Sequence, residues 1–157
     1  MNKRHFRTIC LAVLSLCLVL APLAEAARSI PPEVKSYTIK FMNEFSAAMH
    51  TLASSVEKTG DPVQIAGALN SYTDTIEPLM KGMADLEKKY PEFFKEVKED
   101  DSYIGADPEM AKAEAEFSKT QGMIMATIMK IVPHMEHPQV QAAMERMEKI
   151  MSSMDIH

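Results

Sequence analysis

The chain has 157 residues, of which 22 are acidic and 17 basic, so its formal net charge is −5, and 46% of its residues are hydrophobic. That balance excludes the basic surface that nucleic acid or anionic lipid would need. It leaves a cationic ligand, such as a metal ion or a basic protein, as the electrostatically easier partner.

Lys3, Arg4 and Arg7 precede the apolar run TICLAVLSLCLVL, which is as long as the core of a signal peptide and too short to span a membrane. Ala24-Glu25-Ala26 offers small residues at the two positions a signal peptidase reads. Residues 1–26 therefore read as a cleaved signal peptide and 27–157 as a single helical-bundle domain, periplasmic or secreted. Cys10 and Cys17 fall in the removed segment, and Leu16 stands where a lipid-attachment motif needs a small residue. The exported chain is then cysteine-free and must be held by its core. Without Lys3, Arg4, Arg7 and Glu25 it keeps 14 basic and 21 acidic residues, a net charge of −7. No later run is apolar for long enough to serve as a transmembrane segment.

The first predicted helix opens at Pro32, where a missing N–H is not needed, and runs to about Lys58. Its apolar face is Val34, Phe41, Phe45, Ala48, Leu52 and Val56, widened by Met42 and Met49. Thr59-Gly60 closes it, with the glycine expected in a left-handed conformation. A second helix starts at Asp61 as N-cap, with Pro62 in its first turn and Gln64 reaching back. It carries the most regular pattern in the chain: Ile65, Leu69, Tyr72, Ile76, Leu79, Met83, Leu86 and Tyr90 alternate steps of four and three, which lays one stripe along a helix. Pro78 lies inside the stripe and removes one backbone hydrogen bond, so a kink is expected there.

After Tyr90-Pro91, a short helical extension carrying Phe93 and Phe94 leads into a loop with Tyr103 and Ile104. Asp107-Pro108 repeats the Asp-Pro start, and Met110, Ala113, Phe117, Ile124, Ile128 and Ile131 mark the face of a third long helix. It ends near Val132. The turn PHMEH leads to Pro138 and a fourth long helix with Val140, Met144, Met147, Met151 and Met154 on one face. The expected fold is all-α, an up-down-up-down four-helix bundle with a kinked second helix. That topology places His134 and His137 at the Gly60 end, and Met42, Met154 and His157 at the other.

The choice of apolar residue is unusual. Beyond Ala26 the chain has 13 methionines and four leucines, and after Leu86 it has nine methionines and no leucine. Thioethers ligate Cu(I), and the spacing of Met144, Met147 and Met151 puts three on one helix face. The same spacing also serves packing, since methionine is a flexible gap-filler. His134, Met135 and His137 place two imidazoles and a thioether in one turn, a second candidate metal group.

The plan of an exported, cysteine-free four-helix bundle, with DPVQIAGAL and DPEMAKAEAEF as local likenesses, resembles the cytochrome b562 family in architecture. The resemblance implies haem held between a methionine near the start of the first helix, here Met42, and a histidine near the end of the last, here His157, the final residue. Met147, Met151 and Met154 occupy the positions where an inward histidine would be wanted. Covalent attachment would need Cys-x-x-Cys-His, and the chain has none.

Neither a nucleophile-base-acid pattern, nor a glycine-rich phosphate loop, nor His-Glu-x-x-His occurs. The reading is therefore a non-enzymatic binding or interaction protein whose Met-rich face meets a protein partner in the cell envelope. The alternative is a copper or haem carrier using methionine and histidine.

Overall fold

The computed structural model describes residues 30–99 and 107–152. The predicted signal peptide, Tyr103, Ile104, Met154 and His157 lie outside the described residues. Among those described there are five α-helices and no strand: α1 Pro32–Glu57, α2 Pro62–Lys89, α3 Pro91–Glu99, α4 Pro108–Ile131 and α5 Pro138–Ser152, with a 3-10 turn at Val132–His134 before α5. The fold is all-α.

Each long helix starts at the proline the sequence put there, and local chemistry explains why. Asp61 turns its carboxylate back to accept from the Val63 N–H at 2.9 Å, and Asp107 accepts from Glu109 N and Met110 N at 3.0 and 3.2 Å. Both satisfy donors that a helix start leaves free. Two expectations fail in detail. The Asp61 N–H donates to Thr59 Oγ1 at 3.0 Å, so the preceding threonine does what was assigned to Gln64. Gly60 does not adopt a left-handed backbone; α1 ends instead on Lys58, whose N–H reaches the Ser55 carbonyl at 3.3 Å.

All eight residues predicted for the first helix face are buried. In α2 the stripe holds up to Leu86: Ile65, Leu69, Tyr72, Ile76, Leu79 and Leu86 are buried and Met83 packs against the core, while Tyr90, its last residue, is half-buried at the C-cap. The helix runs unbroken through Pro78. Nearby, the Tyr37 hydroxyl of α1 donates to the Leu79 carbonyl at 3.0 Å.

In α4 the outcome differs. Met110, Ala113 and Ile131 are buried as expected, but Phe117, Ile124 and Ile128 are half-buried, while Thr120 and Thr127 are buried. Each threonine returns its hydroxyl to a carbonyl one turn back, Thr127 to Met123 at 2.8 Å and Thr120 to Glu116 at 3.4 Å. With that bond made, the side chain offers its methyl group outward and fits a tight helix contact.

The helices are neighbours in the order α4, α1, α2, α5: α1 packs along both α4 and α2, and α5 packs along α2. Ion pairs fix which ends meet. Lys35 bridges Asp107 and Glu109 at 2.7 and 2.6 Å, joining the starts of α1 and α4, and Lys130 reaches Glu57 at 3.0 Å, joining their ends. Glu33 takes Lys89 at 2.5 Å and the Tyr90 hydroxyl at 2.7 Å, which brings the end of α2 to the start of α1. Arg146 of α5 reaches Asp74 and Glu77 of α2 at 2.5 and 3.5 Å. α4 and α5 are not packed along one another as those pairs are, and the space between them holds the cavity described next. No helix among the described residues is long and apolar enough to cross a membrane.

Candidate functional site

A cavity of about 60 Å³ opens between α4 and α5. Its floor is Phe45, Met49 and Leu52 from α1 with Leu69 and Tyr72 from α2. Ile124, Thr127, Ile128 and Ile131 of α4 form one wall; Met144, Met147 and Met151 of α5 form the other, and Met135 closes the end at the turn. No charged residue lines it. Thr127 spends its hydroxyl inside its own helix. The Tyr72 phenol is pushed well above its ordinary range by burial, so it stays protonated.

The helical period explains why these side chains converge. Thr120, Thr127 and Lys130 mark the side of α4 that meets α1, through burial and through the Lys130 pair with Glu57. Ile128 lies further round, and Met125, Met129 and Val132 beyond it, on the side turned away from α1. Met125 and Met129 are 51% and 64% exposed, and Val132 40%, so an apolar strip continues outward from the cavity mouth. On α5, Arg146 marks the side that meets α2. Met144 and Met151 fall on the opposite flank, toward α4. An aromatic group steadies the floor: Phe45 packs against Tyr72 edge-on at 6.0 Å, against Phe117 at 5.4 Å and along Phe41 at 5.8 Å between ring centroids.

Of the residues singled out in the sequence, Met135, Met144, Met147 and Met151 share this cavity. Met49, read there only as part of a core face, joins them. His134 and His137 are half-buried in the turn and are not part of the lining. His137 Nδ1 is buried without a hydrogen-bond partner. Among the described residues no three side chains of the His, Cys, Asp and Glu set are grouped to hold a metal. Met42 is buried in the core and does not line the cavity, and His157, named with it for haem, lies outside the described residues. His50 is exposed.

Comparison of the chain with family models, with curated proteins and with solved structures finds no match. The site's chemistry therefore rests on its own residues.

Proposed function

We propose that this is an exported, non-enzymatic binding protein, an up-down-up-down four-helix bundle opened along its α4–α5 seam and bent at Pro78. The Met-lined cavity at that seam is its binding site. The observation that carries the reading is the continuity of an uncharged cavity with the exposed strip Met125, Met129 and Val132. Together they form a surface a monomer has no structural use for. Methionine adapts its shape to different apolar partners, so five thioether side chains around one cavity suit an interaction protein that receives apolar side chains from a partner in the cell envelope.

The test has two parts. A neutral apolar fluorophore, N-phenylnaphthylamine, should bind saturably to the wild type. Filling the cavity with Ile124→Trp should abolish that signal at an unchanged melting temperature. A photo-crosslinker placed at Met129 in the host envelope should then give one defined adduct that disappears in the Ile124→Trp chain. An adduct indifferent to cavity filling counts against the reading.

A further inference from the structure

Within the same cavity, and resting on the reading of it as the binding site, we infer a site for a soft monovalent cation, Cu(I), held by thioether sulfur. Met144, Met147 and Met151 follow one another at helix spacings of three and four on α5, Met49 faces them from α1, and Met135 closes the end. Three separate segments thus bring the sulfur-bearing side chains to one place, which the packing of a single helix face does not require. Thioethers are soft, neutral donors, and they prefer Cu(I) to the harder divalent ions. Calcium and magnesium need oxygen ligands, and zinc takes thiolate, imidazole or carboxylate. The lining offers no carboxylate, imidazole or thiol. It therefore discriminates by what it lacks as well as by what it supplies.

Two further features suit that cation. A single positive charge costs less to desolvate than a double one, and the acidic chain, at −5 overall, favours its approach. The unbranched methionine side chain has freely rotating bonds, so the sulfurs can close on an ion without moving the backbone. Met49 is buried while Met144, Met147 and Met151 are half-buried, so the ion would enter from the α5 side and be held against the aromatic floor.

The experiment uses protein purified from its own host under anaerobic conditions. Cu(I) is offered as its bicinchoninate complex, and loss of the complex's colour reports withdrawal. Ag(I), a redox-stable stand-in, is added in parallel while the methionine methyl signals are followed by NMR. Wild type should withdraw Cu(I) and shift the methyls of Met144, Met147 and Met151, with those of Met42, Met80 and Met110 unmoved. The variant Met144→Leu with Met147→Leu and Met151→Leu should lose both responses while still melting cooperatively. If the triple variant does not fold, Met144→Leu with Met151→Leu takes its place.

Failure to withdraw Cu(I), withdrawal that survives the leucines, or shifts confined to Met125 and Met129 would each overturn the copper site. Fluorophore binding without copper leaves the apolar reading standing alone. Copper bound at these sulfurs without the fluorophore would remove the apolar reading and keep the metal.

Discussion

The ring and hydroxyl of Tyr37 occupy the space that a β-carbon on Gly82 would fill. The glycine lets an α1 side chain lie against the α2 backbone one turn after Pro78, where the Tyr37 hydroxyl donates to the Leu79 carbonyl at 3.0 Å. Glycine in a helix interior normally costs about 1 kcal/mol relative to alanine. Here that cost is offset by a contact alanine cannot permit.

The sign of Gly82→Ala should therefore depend on residue 37. In the wild-type background it expels the tyrosine, losing a hydrogen bond of about 1 kcal/mol and the packing of the ring, and should lower stability by roughly 1–2 kcal/mol. In a Tyr37→Ala background the same substitution should stabilise by up to about 1 kcal/mol. Chemical denaturation of the four chains of this cycle measures the coupling; equal effects in both backgrounds would show that the two residues do not interact.

Leu79→Asp should unfold the protein. The leucine is 3% exposed, and its replacement removes roughly 2 kcal/mol of apolar burial while leaving a carboxyl group without a partner inside the core. Lys81→Asp lies off the stripe at 71% side-chain exposure and loses one surface pair with Glu77. Thermal melts should show a large loss for the first and a small one for the second.

The two helix-start clusters should make stability fall in acid. Hydrogen bonds from Lys89 and then Tyr90 hold the Glu33 carboxyl below its usual value. At Asp107 the Lys35 ammonium acts first, followed by the Met110 N–H. A carboxyl group whose folded value is depressed contributes its stability fully above the ordinary carboxylate range and loses it as pH falls through the folded value. Glu33 is solvent-exposed and Asp107 half-buried at the surface, so the effect is modest for each. Melting temperature should hold from neutral pH to about pH 5 and then decline. Asp107→Asn with Glu33→Gln should start lower at neutral pH and flatten the decline; an unchanged slope would place the acid sensitivity elsewhere.

Arg146→Met should loosen α5 without unfolding the rest. Its guanidinium links α5 to Asp74 and Glu77, and hydrogen bonding to Asp74 raises its own already high pKa, so the arginine stays charged. Amide exchange should quicken across Pro138–Ser152 while α1 and α2 keep their protection. Uniform acceleration in all helices would mean that α5 is not a separately opening unit.

Why some of this could be read from the chain and some could not is clearest on two helices. In α1 every strongly apolar residue at the three-four spacing is inside, because α1 has neighbours on two sides and no room for an exposed stripe. In α4 the same rule overvalued Ile124 and Ile128 and passed over Thr120 and Thr127. Periodicity finds the apolar side of a helix, but it does not know that one neighbour stands off. Nor does it count a threonine whose hydroxyl is satisfied by its own backbone as a core residue. The site was legible to the same degree. Met144, Met147 and Met151 share a face by spacing alone. Met49 and Met135 join them only through tertiary contact, and Met42, one heptad before Met49, does not.

The order α4, α1, α2, α5 gives the described helices the plan of an open book. The spine is the contact of α1 with α2, where Phe45, Leu69 and Ile76 are buried, and the outer helices are its covers. The covers are not held alike: α4 is pinned to α1 at both ends, by Lys35 and by Lys130, and α5 is tied to α2 through Arg146. On the proposed binding role, a guest larger than the resting cavity would then be received by a swing of α5 and not by a remaking of the core.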